Sequence, residues 1–194
     1  MRLMRRVTSI DNDEDFEVDA HTRQTVTIER AGAEDASVVA NLMELYCHDL
    51  STLFNLEVGP DGRFGYARLP LYLSEPHTRH AYLIRHGATL AGFALVRAES
   101  PLADLAADFD VAEFFILRAH RRHGVGRDAA AALWDRHPGT WVVRVADGNL
   151  PAVAFWRGTI DDYAAGAFTE QRRTIDGRGW HVFVFPSRTN QEQE

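Results

Sequence analysis

The chain has 194 residues, a formal net charge of −7, 45% hydrophobic and 25% charged residues, a balance that suits one globular domain with a substantial core. The acidic charge argues against a broad electrostatic grip on nucleic acid, and no apolar run approaches the roughly 20 residues of a membrane span. All 21 basic residues are arginines, which excludes Schiff-base, pyridoxal-anchoring and phosphate-loop lysines and leaves general base work to Asp, Glu, His, Tyr or water.

The arginines near Met1 are not followed by an apolar run, so a secretory signal is not expected. Acidic residues crowd Asp11 to Asp19, and residues 1–24 are expected as a flexible extension. The domain is placed at 25–187, with a polar tail at 188–194. Thr25–Arg30 alternates as a first strand and stops at Ala31-Gly32. Val39, Leu42, Met43, Tyr46 and Leu50 recur at helical spacing from about Asp35 to Leu50. Cys47 borders that face and is expected to be inert packing; as the single cysteine it allows no intrachain disulfide, which fits a cytoplasmic protein. From Ser51 to Thr78 glycines and prolines break the pattern, predicting a long irregular connection with one short helix.

Residues 81–85 and 90–97 read as two strands about a glycine turn. The acidic run 100–110 reads as a surface loop, and Val111–Leu117 as a buried strand. After Arg121-Arg122-His123-Gly124-Val125-Gly126 comes a helix whose inner face carries Ala129, Ala132 and Leu133. It stops at His137-Pro138-Gly139. Trp141–Val145 is a strand, Asn149 caps a further helix with Pro151 in its first turn, and 166–185 forms a terminal hairpin about Asp176-Gly177. The predicted order is β-α-(irregular)-β-β-β-α-β-α-β-β.

The segment strand, Arg121-x-x-Gly124-x-Gly126, helix, strand, Asn149-x-x-Ala152-x-x-Phe155-Trp156 resembles the GNAT superfamily of N-acetyltransferases. The glycines permit close approach of a ligand, so successive N–H groups and the positive end of a helix can converge on an anion, assisted by Arg121, Arg122 and Arg127. The resemblance implies a mixed, largely antiparallel α+β sheet of six to seven strands with about four helices. It also implies acetyl-CoA as cosubstrate, without a metal, acting on a small-molecule or peptide amine, and it allows a homodimer. By the same resemblance Ile116, Leu117 and Arg118 would pair with the pantetheine arm and residues 122–127, His123 and Val125 included, would cradle the pyrophosphate. Phe155 and Trp156 would lie on the cofactor side, and Asn149 is either a helix cap or a cofactor contact.

Direct attack on a thioester requires a deprotonated amine, and Glu113 on the motif strand is the leading candidate base. Family members often place a tyrosine just after Phe155 as the acid for the leaving thiolate; Trp156 stands there instead and cannot donate a suitable proton. Tyr163 is the replacement candidate. Tyr46, Asp49, Phe64, Tyr66 and Tyr72 are the candidate surroundings of the acceptor. The competing reading is an acyl-CoA-binding sensor or scaffold that keeps the fold without turnover. A dinucleotide-binding module is disfavoured because the glycine loop lies late in the chain and opens no βαβ series.

Overall fold

The computed structural model describes residues 24–188 apart from Pro101 and Ala103, and within them one sheet carries helices on both faces. The expected N-terminal extension and nearly all of the polar tail lie outside the described residues. In chain order the strands are β1 (Val26–Arg30), β2 (Arg79–His86), β3 (Thr89–Ala98), β4 (Phe109–Ile116), β5 (Thr140–Ala146), β6 (Thr169–Ile175) and β7 (Arg178–Pro186). Their order across the sheet is β1-β2-β3-β4-β5-β7-β6. Every neighbouring pair is antiparallel except β4 and β5.

The helices are α1 (Ala36–Phe54), α2 (Leu71–Ser74), α3 (Val125–Arg136) and α4 (Leu150–Ala164). Val39, Leu42, Met43 and Cys47 of α1 and Tyr72 of α2 pack with Leu83, Phe93, Leu95 and Phe115 on one face of the sheet. Ala129, Leu133 and Trp134 of α3 and Val153, Trp156 and Ile160 of α4 pack with Ile84, Val96, Val143 and Phe183 on the other. Alternation along each strand sends consecutive side chains to the two cores, which is why these central strands read as nearly unbroken apolar runs. Helix α1 runs one turn beyond the expected Leu50 and ends where Asn55 adopts a left-handed conformation, φ 54°, a common helix stop.

Strand β4 starts at Phe109, and Asp110, expected in a surface loop, is 0% exposed. The acidic composition of 100–110 concealed a strand start whose carboxylate is buried against arginines. Opposite β3, Leu95 pairs with Glu113 and Val96 with Val111, so Ala112 is an extra residue in β4. A bulge of this kind breaks the alternation. Val111 consequently joins the α3–α4 core, while Glu113, two residues later, lies on the α1 side with Phe115. The same irregularity ends the parallel pairing with β5, which covers only Phe109, Asp110 and Val111. Beyond that point β4 and β5 part.

Candidate functional site

Glu113 sits just past the bulge, where the strands separate. Its carboxylate accepts hydrogen bonds from the Tyr46 hydroxyl at 2.7 Å and the Tyr66 hydroxyl at 2.8 Å. Burial pushes the Glu113 carboxyl above its ordinary range and outweighs the two tyrosine hydrogen bonds, which act in the opposite direction. Burial and the adjacent carboxylate raise both tyrosines, so they remain donors. Tyr66 belongs to the irregular connection, and it is held in place because Glu44 of α1 accepts from the amides of Phe64 at 2.8 Å and Gly65 at 3.4 Å. Glu44 was not singled out from sequence, since an acidic residue on a helix is ordinarily solvated. Phe64 faces His48 at 6.4 Å between ring centroids. Tyr72 is buried under the Arg79 guanidinium, 5.5 Å from its ring.

Beneath Glu113 lies a second group that sequence reasoning missed. Asp110 accepts from Arg97 at 3.0 Å and from both Nε and a terminal nitrogen of Arg144 at 3.1 Å. The visible signal was Arg144 itself, a charge inside the apolar run Trp141–Val145. Such a residue must find a partner when its strand is central.

The glycine loop leads from β4 into α3. Arg122 and Gly124 both adopt positive φ, 66° and 83°. Among the described residues, no main-chain carbonyl accepts from the amides of residues 122–127, and the first helical bond runs from the Asp128 amide to the Gly124 carbonyl. These are the amides expected to form an anion socket. Gly126 serves packing as well, because a Cβ there would lie 3.2 Å from the Phe155 ring. Val125 is buried, and Arg122 and His123 are exposed.

The remaining loop arginines are committed elsewhere. Arg121 donates through Nε to the Ile116 carbonyl at 2.7 Å and to Asp49 at 2.6 Å, and Arg118 meets the other Asp49 oxygen at 2.7 Å. Partial burial pushes the Asp49 carboxyl up, but these hydrogen bonds prevail and hold it below its usual range. Asp49 therefore ties α1 to the loop. Arg127 pairs with Asp162 at 3.0 Å across two exposed side chains.

Of the expected pantetheine partners, the Leu117 amide is bonded to the Ala91 carbonyl of β3 at 2.8 Å. Counting back in twos along an antiparallel ladder, Phe115 and Glu113 also turn their peptide groups to β3. Those of Phe114 and Ile116 face the gap left by β5.

Other expected positions are not brought to this gap. Trp156 is buried, edge-on to Phe114 at 5.1 Å and 6.1 Å from Trp134. Phe155 is the ring that reaches the gap's edge, stacked 6.3 Å from Phe114. Tyr163, 4% exposed, donates to Asp135 at 2.6 Å and accepts from the Arg188 amide at 3.0 Å. Burial and Asp135 raise it to about 12. It is a packing residue between Trp134 and Phe185, because both hydroxyl partners lie on the α3–α4 side of the sheet. Asn149 caps α4, accepting from the Ala152 amide at 3.3 Å. Cys47 is buried, and burial with Glu44 nearby pushes its thiol to about 11, against nucleophilic use. Among the described residues no His, Cys, Asp and Glu cluster has metal-binding geometry, and no helix is long and apolar enough to cross a membrane.

Comparison with known proteins agrees with this arrangement. No curated protein matches the chain. An acetyltransferase from Thermus thermophilus superposes with a TM-score of 0.61 at 18% identity, covering 84% of this chain and 98% of that one. Spermidine N-acetyltransferase from Vibrio cholerae, in complex with CoA and spermine, gives 0.57 at 15% identity over 84% and 95%. The ribosomal-protein-S18-alanine N-acetyltransferase of Escherichia coli gives 0.51 at 16% identity over 88% and 99%. At these identities the likeness is one of fold. The profile of the acetyltransferase (GNAT) family matches residues 40–159, more than half of the chain, and this chain belongs to that family.

Proposed function

We propose that the protein transfers an acetyl group from acetyl-CoA to a primary amine by direct attack, with Glu113 as general base. Supporting the reading most directly is the run from Glu113 to Arg127, where a buried carboxylate, two gap-facing peptide groups and a loop of uncommitted amides follow one another in fifteen residues. The residues fit the cosubstrate: amides 122–127 with Arg122 would hold its pyrophosphate, and Phe114 and Ile116 would pair with its pantetheine arm. Acetyl-CoA supplies the activated acyl group. The chain's own contribution is to position the amine, accept its proton on Glu113 and exclude water.

Glu113 suits this task because its raised affinity for a proton brings it closer to the working pH of a base. Tyr46 and Tyr66 orient it by donating to both oxygens. An amide N–H on the open edge of β4 is available to stabilise negative charge on the acyl oxygen.

The sensor reading draws on one observation, the absence of a tyrosine acid: Trp156 is in the core and Tyr163 is bonded to Asp135. A thiol of pKa about 8.5 leaves without assistance at a tolerable rate, so this weakens catalysis without preventing it. Free-thiol detection with a panel of primary amines separates the readings. Release of CoA that depends on an amine supports transfer; tight CoA binding with no release for any amine supports the sensor.

A further inference from the structure

Beyond Glu113, the α1 side of the sheet carries an excess of guanidinium. Asp110 is shared by Arg97 and Arg144, so two cations answer one carboxylate. Arg144 also lies 6.0 Å from the Trp180 ring of β7. Trp180 packs against Phe54, at the end of α1, with 6.1 Å between centroids, and the Arg178 guanidinium lies 4.3 Å from the Phe54 ring. Among the described residues Arg178 has no carboxylate partner, and its one hydrogen bond is a long contact to the Leu53 carbonyl at 3.5 Å. The Trp180 indole N–H is buried without an acceptor. A cavity of about 410 Å³ opens between Leu53, Asp147 and the hairpin turn Gly177–Gly179, with Arg178 at its rim. One oxygen of the Asp147 carboxylate is taken by Arg172 at 2.7 Å, and the other is buried without a hydrogen-bond partner, 3.5 Å from Nε2 of His181.

Arg144 neighbours Glu113 electrostatically, and contacts from Arg144 through Trp180 and Phe54 lead to Arg178, so a substrate that extended from Glu113 along this line would bring its remainder to Arg178. A second ammonium there meets two guanidiniums, while Asp110 and Asp147 are already ion-paired with other arginines or with Arg144 itself, so the contact is repulsive at low local dielectric. A carboxylate meets charge-assisted donors instead. We infer that the acceptor is an amine that also bears a carboxylate, of the amino-acid class, and that Arg178 selects it against polycationic amines. This rests on the proposed role of Glu113 and adds the chemical class of its substrate.

Calorimetry tests it in two stages. The heat of CoA binding is recorded first and reports on the amide socket alone. The protein, saturated with CoA where that heat is present and by itself where it is absent, is then titrated with ω-amino acids from glycine to 6-aminohexanoate and with the diamine and monoamine of each length. The expected result is that, at the best chain length, the amino acid binds roughly tenfold more tightly than the matched diamine. Arg178→Gln should collapse that ratio toward one, with Arg178→Lys retaining part of it. A diamine that binds as tightly as its amino acid, amino acids no tighter than monoamines, or a preference untouched by Arg178→Gln each overturns the inference. Absence of CoA heat would instead count against the acetyl-CoA reading.

Discussion

Tyr66 donates a hydrogen bond to Glu113 across 2.8 Å, joining a residue of the irregular α1–α2 connection to the strand that forms the gap. The bond stabilises the charged carboxylate against the burial that raises its proton affinity. Removing the donor in Tyr66→Phe should therefore raise the Glu113 pKa further. The base is active when ionised, so the acidic limb of the kcat/KM profile should move to higher pH. Glu113→Gln should lower kcat by about 10²- to 10⁴-fold with little change in CoA affinity. A limb that stays in place in both variants would remove Glu113 as the base.

Gly124 opens α3 at φ 83°. A side chain in that conformation costs roughly 1–2 kcal/mol, and a carboxylate would also set negative charge among the amides of 122–127. Gly124→Glu should weaken CoA binding by more than about tenfold, a loss of at least about 1.4 kcal/mol. Thermal unfolding recorded alongside identifies any general loss of structure. Unchanged calorimetric affinity in a folded variant would place the pyrophosphate elsewhere.

Gly92 in β3 faces Ile116, and a Cβ there would overlap the Phe115 carbonyl oxygen. Backbone cannot swing aside as a side chain does. Gly92→Ala should cost more than about 2 kcal/mol in urea unfolding, in the upper part of the usual range for overpacking, because β3 and β4 must separate at the strand that carries Glu113.

His80 is stacked on His137, 4.9 Å between ring centroids, and burial, with Arg30 and His137 nearby, lowers it from 6.5 to about 4. The unfolded chain takes up this proton near pH 6.5 while the folded protein resists until about 4. Stability is thus fully present above pH 6.5 and declines as pH falls toward 4. His80→Phe keeps a ring in the stack and removes the titration, so its Tm should fall less than the wild type's over that window. An identical decline would assign the acid sensitivity to other groups.

Much of the fold was legible because its signals are local. Periodicity in 39–50, the glycine turn after β2, Asp176-Gly177 between β6 and β7, and the Asn149 cap depend on residues adjacent in sequence, and each fell close to its expected place. The glycine loop at the start of α3 was legible for the same reason, being set by two glycines and a helix start. Nothing local says that Asp49, 72 residues away, takes the guanidinium of Arg121.

By itself the sequence determined the element order, the family and the loop whose amides lie unbonded, since helix starts, turns and apolar faces follow from the backbone preferences of neighbouring residues. Tertiary structure alone decided which charges meet. The extra residue at Ala112 turns Glu113 toward Tyr46 and Tyr66 and places Asp110 between Arg97 and Arg144. Those pairings arise when strands distant in sequence are brought together and buried charges must find partners or remain unsolvated.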